Sequence, residues 1–399
     1  MFNILTIDVE DYFQVHAFSD VIKYDDWSNF ECRIERNTDR LLSILNDITQ
    51  NSTFKIKHLK FSTQHSKLNN SALSPQHLKP QHRSTATLSN SITHSPNNSL
   101  TQKVQGTFFV LGWIAERYPD LVRRIQKEGH EIACHGYAHR LVYTQSRDEF
   151  RRDVKRAKSI LEDITGEEVI GYRAPSYSIT NKSQWAFEVL VEEGFKYDSS
   201  IFPIRHDFYG MREAPRFPFV VSFKGNDNFE FSMLNFELGT AALHHSSTAA
   251  LNNSFTHSLI HPSSHISAQQ HRNTAALNNS LTHSLINSRA LIEFPISTVK
   301  LFGQNIPISG GGYFRLFPYS LIRRGLKSIS KKEGKPFIFY MHPWEIDPNQ
   351  PRVSGVSSRS RFRHYVNLDK TEDRFRRLLI DFSFSSVKRI LQLSNPITH

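Results

Sequence analysis

The sequence predicts an α/β fold on parallel strands, either an open sheet or a barrel, and three observations lead there. Short apolar segments alternate with amphipathic helical ones, the helical segments carry legible starts and stops, and titratable residues gather just after the apolar segments. Strands that alternate with helices pair in parallel, because each helix carries the chain back to start the next strand in the same direction. In such architectures the chemistry collects at the C-terminal ends of the strands.

Taken in order, FNILTIDV from Phe2 is a continuous apolar run and reads as a buried strand. NTDRLLSILNDI from Asn37 is a helix, with Leu41, Leu42 and Leu45 on one stripe and Asn37 or Thr38 as its cap. GTFFVLG from Gly106 is the next strand. PDLVRRIQKEGH from Pro119 is a helix opened by proline and stopped by Gly129. HEIACHG is a strand and loop, and DEFRRDVKRAKSILEDITG is a long helix closed by Gly166. VIGYRAPS, a helix over 183–194, FKYDSS, LIEFPIST and PFIFYMHP continue the alternation.

Two stretches break the pattern. TATLSNSITHS starts at Thr85, TAALNNSFTHS at Thr248 and TAALNNSLTHS at Thr274, and LSNPITH from Leu393 resembles part of the first copy. Solenoid repeats are contiguous, and these are scattered. Residues 51–105 and 240–289 around them are rich in Ser, Thr, Asn, Gln and His and contain no acid, so they bury too little apolar area to offset the entropy of ordering. The reading is therefore core segments at 1–49, 104–225 and 290–385, largely disordered low-complexity insertions at 50–103 and 226–289, and a tail at 386–399. The insertions hold twelve of the twenty histidines, without a fixed ligand spacing, so a repeat-encoded surface loop is favoured over a metal-binding tract.

The charge follows the same division. Of the formal +11, seven Lys/Arg lie between Asn51 and Gln105 and two between Thr240 and Arg289; without those nine the chain stands at +2. The basic balance therefore reports the insertions and excludes a nucleic-acid-binding face. Cys32 and Cys134 are too few for a disulfide framework. MFNILTIDVEDYF has no basic n-region, and no apolar run is long enough to span a bilayer. A cytoplasmic protein is expected, possible membrane association coming only through an export complex.

Three constellations stand at strand ends. Asp8, Glu10 and Asp11 close the first strand, and three carboxylates within four residues repel unless a cation or a proton-transfer role compensates. His135 and His139, in HGYAH, have the i, i+4 spacing that turns two imidazoles toward one metal ion. His342 follows PFIFYM in YMHPWE. Singly, each has a bland alternative: a helix-capping cluster, a chance histidine pair, a satisfied side chain.

With RAPS at Arg173, the order resembles the polysaccharide deacetylases of the NodB-homology type, carbohydrate esterase family 4. That family carries, in sequence, an acidic motif, H-x-x-x-H, R-x-P, an aspartate-containing motif and a late His-Pro motif. Longer stretches, among them DVEDYFQV, HEIACHGYAHRLVY, GYRAPSYSIT, GGGYFRLFP and FYMHPWEIDPNQPR, resemble the subgroup linked to exosortase-type exopolysaccharide loci. The resemblance runs to about Leu379, insertions excepted. It implies a distorted (β/α) barrel, a divalent metal ion such as zinc, and N-acetylated polysaccharide or oligosaccharide as substrate. It further implies Asp8 as catalytic base, Arg173 as its partner, His342 as general acid, Asp198 as the residue orienting that histidine, and a backbone N–H near Tyr177 for the oxyanion.

One departure concerns the metal ligands. The commoner family pattern has adjacent aspartates, whereas Val9 follows Asp8 here, so the carboxylate ligand beside His135 and His139 is Glu10 or Asp11. A side chain two residues on shares the face of Asp8 along a strand, which favours Glu10. Two other readings stand beside deacetylation of an exopolysaccharide. One is hydrolysis of a different C–N amide bond on the same fold, as in allantoinase; the other is a non-catalytic polysaccharide-binding relic. Trp113, Tyr177, Trp344 and Phe314 suit stacking on sugar rings and favour the first reading.

Overall fold

The computed structural model describes residues 1–50, 103–206, 208–223, 229–234 and 290–394. It divides into two compact units, Met1–Leu42 with Gln105–His399, and Ser43–Val104. Of the insertions read at 50–103 and 226–289, only residues 50, 103 and 229–234 are described, so their expected disorder lies outside these residues. In the smaller unit residues 43–50 are helical, and the Val104 N–H donates to Thr49 Oγ1 at 3.1 Å.

The larger unit is built on a parallel sheet. Its strands are β1 (Asn3–Val9), β2 (Thr107–Val110), β3 (Glu131–Cys134), β4 (Gly171–Tyr172), β5 (Tyr197–Asp198), β6 (Phe219–Phe223), β7 (Phe229–Met233), β8 (Ala290–Glu293), β9 (Thr298–Leu301), β10 (Gln304–Pro307), β11 (Ile338–Met341) and β12 (Phe384–Ser385). The order is β11-β1-β2-β3-β4-β5-β8, every pair parallel, with β12 also beside β1. The sheet curls until its ends approach. Ser309 O accepts the Tyr340 N–H at 2.9 Å, Ser297 Oγ accepts the Ile338 N–H at 2.8 Å, and Gly310 bridges Tyr340 in parallel. Residues 297–310 thus join β8 to β11, and the result is a distorted barrel.

Alternation along the strands decides what fills it. Ile4, Phe109, Ala133, Tyr197, Phe294, Ile296, Ile338 and Tyr340 form one buried cluster inside, and Val387 and Ile390 of the last helix (Val387–Ser394) close the N-terminal end. Gly171 is required where it stands, since a Cβ there would lie 2.0 Å from Tyr197 Cζ. Helices cover the outside. The longest among the described residues, Arg147–Thr165, starts at a capping box between Ser146 and Glu149 and stops at Gly166 with φ 66°. It buries Phe150, Val154, Ala157 and Leu161 along one stripe.

One boundary needs correction. Residues 229–233, read from the sequence as part of the second insertion, form β7, paired antiparallel with β6, which in turn pairs antiparallel with β8. Phe219, Val220 and Val221 of β6 are buried, so this hairpin belongs to the core layer. No helix among the described residues is long and apolar enough to cross a membrane.

Candidate active site

The inward row of β1, Ile4, Thr6 and Asp8, ends at the C-terminal mouth of the barrel. Arg173, after β4, reaches across the interior to meet it. Its Nη1 donates to Asp8 Oδ1 at 2.6 Å and to Thr6 Oγ1 at 2.8 Å, its Nε to Ser199 O at 3.0 Å, and its Nη2 to Ser199 Oγ at 2.8 Å. The guanidinium lies 4.2 Å from the Phe109 ring centre and is fully buried. A buried arginine with this many fixed partners holds the carboxylate in one orientation.

His135 follows β3, its N–H donating to Val110 O at 3.0 Å. Its Nδ1 lies 2.8 Å from the Arg173 carbonyl, which fixes the tautomer and leaves Nε2 unprotonated toward the site. Burial holds this imidazole down at about 4, so it stays neutral and able to act as a ligand. His139 Nε2 lies 2.6 Å from Glu10 Oε2, yet that oxygen is buried with no aligned hydrogen bond. Burial alone would raise the Glu10 carboxyl; His139 and His342 outweigh it and hold it near 2.

Donor atoms of Glu10, His135 and His139 all fall within 4.8 Å of one another. Two imidazoles and a carboxylate form a donor set suited to zinc, and the orphaned Glu10 oxygen has the partner it lacks if a cation sits there. The residues fit a divalent ion. Asp11, the open alternative, turns elsewhere: it accepts the backbone N–H groups of Tyr12 and Arg33, at the start of the helix over residues 34–42, and burial raises its carboxyl to about 6.

His342 completes the mouth. Its Nε2 stands 3.3 Å from Glu10 Oε1 and 3.8 Å from Asp8 Oδ2. Its Nδ1 lies 2.5 Å from Glu345 Oε1, and Glu345 Oε2 accepts from Arg315 Nε at 2.9 Å. Burial opposes charge on this ring, but Glu10, Glu345 and Asp8 overcome it and raise His342 to about 9.

The residue expected to orient His342 was Asp198, and the geometry differs. Strand alternation turns Tyr197 and Ser199 inward and Asp198 outward, where it faces its register partner Glu293 and accepts from Ser200 Oγ. Glu345, which does contact His342, carried one unread signal. HPWE places it three residues on from His342, at the third position of the 3-10 turn Pro343–Ile346, and it accepts the His342 N–H as a capping acid does.

Of the backbone donors expected near Tyr177, its own N–H donates to Ala174 O at 3.0 Å and is engaged. The aromatic residues read as sugar-stacking are core: Phe314 packs on Phe339, Trp113 on Phe13 and Trp27, and Trp344 lies between His342 and His364.

Comparisons with known proteins meet this geometry. Residues 100–192 match the polysaccharide deacetylase family model, a range that includes His135, His139 and Arg173. The chain carries a polysaccharide deacetylase domain. Residues 263–392, which include Arg315, His342 and Glu345, match a domain of unknown function (DUF3473). A peptidoglycan-N-acetylglucosamine deacetylase of Bacillus cereus is 37% identical over 86 residues, 21% of this chain and 31% of that protein. A peptidoglycan deacetylase of Helicobacter pylori is 29% identical over 102 residues, 26% of this chain and 33% of that one. The chain thus spans about a third of the length of these curated relatives. Among solved structures, a polysaccharide deacetylase from Bacillus cereus aligns over 25% of this chain and 48% of its own at 28% identity, with a TM-score of 0.23. The deacetylase domain and the domain of unknown function contribute to one mouth: the first match supplies the histidine pair and Arg173, and the second supplies His342 with its acid.

Proposed function

We propose that the protein is a metal-dependent hydrolase that removes N-acetyl groups from the amino sugars of an exopolysaccharide. The observation that carries this reading is the convergence of Asp8, Glu10, His135, His139 and His342 at one barrel mouth, with Asp8 tied to Arg173. Glu10, His135 and His139 would hold a divalent ion, zinc by the donor set. When bound, such an ion polarises the amide carbonyl and makes water more acidic.

The remaining work falls to the protein. Asp8 takes the proton of the attacking water, and Arg173 keeps the base aimed. The water oxygen adds to the acetyl carbon and opens the C=O bond; collapse of that tetrahedral adduct re-forms the C=O, breaks the C–N bond and leaves acetate. His342 Nε2 gives its proton to the leaving amine. A histidine raised to about 9 carries that proton at neutral pH. The exopolysaccharide role rests on the long motifs that resemble the exosortase-linked subgroup, together with the DUF3473 match.

Acetate release from a panel of N-acetylated oligosaccharides, run beside cyclic amides, tests the proposal. Release from the sugars alone is the expected result. Turnover of the cyclic amides alone transfers the site to the other C–N hydrolase reading, and no turnover of either by the zinc-loaded chain leaves a binding relic.

A further inference from the structure

His135 and His139 are four residues apart, a spacing that aligns side chains on a helix, yet they do not sit on one. The segment after β3 is a loop in which Gly136 (φ 72°) and His139 (φ 51°) both adopt left-handed backbone. Helical periodicity therefore does not bring the two imidazoles together, and something else fixes the loop. On one side its carbonyls are taken by the helix over Gly112–Arg117, where the Gly112 N–H donates to Gly136 O at 2.8 Å and the Trp113 N–H to Tyr137 O at 3.1 Å. On the other side stands a single carboxylate. Asp153, on the helix Arg147–Thr165, accepts the Tyr137 N–H at 2.8 Å and the Ala138 N–H as well. It sits so close beneath the turn that a Cβ at Gly136 would come 2.8 Å from its Oδ2.

We propose that Asp153 is a positioning residue for the metal centre: its carboxylate accepts the two backbone N–H groups between His135 and His139 and so holds both imidazoles in the geometry that binds one ion. This inference rests on the reading of Glu10, His135 and His139 as ligands. Without the carboxylate, two partly buried N–H groups lose their acceptor, and the loop gains by rotating to find others. The helix carrying Asp153 is anchored by Phe150, Val154 and Ala157, so the acceptor does not drift with the loop.

The test is zinc affinity of the purified full chain, stripped by chelation and titrated with zinc against a competing chelator, beside the melting temperature of the stripped protein. Asp153→Ala weakens zinc binding by about 10–100-fold, the usual range for groups that orient metal ligands. Asp153→Asn keeps a carbonyl acceptor in the same place and loses less, and it carries the test if the alanine variant does not fold. A purely structural role lowers the melting temperature of the stripped protein and leaves zinc affinity unchanged; that result, or equal losses for Asn and Ala, overturns the proposal. A native chain that takes up no zinc overturns it together with the ligand reading, whereas native uptake with unaltered affinity in Asp153→Ala overturns this inference alone.

Discussion

Glu345 Oε1 lies 2.5 Å from His342 Nδ1, and Arg315 engages the other oxygen of the same carboxylate. Glu345 is fully buried, so its charge is balanced by Arg315 and not by water. The pair sets which nitrogen of His342 faces the reacting centre. Replacing Glu345 with Ala is therefore expected to lower kcat by about 10²-fold, within the general acid–base range, while KM moves little. Glu345→Gln, which still accepts from the ring, should lose less. Steady-state kinetics of these variants beside Asp198→Asn check the assignment, and a larger kcat loss in Asp198→Asn than in Glu345→Ala would return the orienting role to Asp198.

Base and ligand should separate experimentally. Asp8→Asn keeps an oxygen for Arg173 but removes the basic carboxylate, and it is expected to retain metal while losing about 10²–10⁴-fold in turnover. Glu10→Gln, His135→Ala and His139→Ala should lose metal as well as activity. Asp11→Asn should keep metal, because its carboxylate serves backbone N–H groups at 12 and 33. Elemental analysis of the five purified variants distinguishes these patterns.

Acid should destabilise the fold through His364. This ring is stacked 4.2 Å from Trp344 and pairs with Gln350 Oε1 at 2.6 Å; burial first, then Arg315, holds it well below its ordinary value. A folded-state value below the unfolded one means that stability is fully present above about pH 6.5 and falls as pH drops below it, by up to about 1.4 kcal/mol per pH unit. Melting temperatures followed from about pH 7.5 to pH 5 should fall, and the slope should flatten in His364→Phe. An unchanged slope in that variant would assign the acid sensitivity to other groups.

How much of this was legible in the sequence depends on how local each signal was. Asp8, Glu10, His135, His139 and His342 follow apolar segments, so their place at strand ends was a local signal, whereas Arg173 entered only with the motif order that resembles the deacetylases. The choice of Glu10 over Asp11 followed from side-chain parity along β1. The role expected of Asp198 came from the motif order alone, and β5, only Tyr197–Asp198, is too short for its inward and outward faces to be read from an apolar pattern. Arg315 and Asp153 act from helices distant in sequence, where nothing marks them apart from other surface-helix charges. β7 was hidden because FEFSM, although it alternates apolar and polar residues, is only five residues long and adjoins low-complexity sequence.

The insertions bear on stability rather than chemistry. Thr49 and Val104 lie side by side, and loop-closure entropy rises by only about 0.6 kcal/mol for each doubling of length. Replacing residues 51–102 with a short Gly/Ser link should leave the melting temperature equal or higher. The second cut should spare β7, running from 235 to 289; a cut that begins at 226 removes the strand paired with β6 and should lower the melting temperature. Thermal unfolding of the three shortened chains decides between these outcomes.

If one divalent ion, held by Glu10, His135 and His139, drives amide hydrolysis at this mouth, activity follows metal content. Acetate release from an N-acetylated oligosaccharide, measured against bound zinc per chain as stripped protein is reloaded, tests this directly. The stripped chain should release no acetate, and release should rise in proportion to zinc until about one ion is bound. Full release from protein with no bound metal, or one bound zinc with no release, would contradict it.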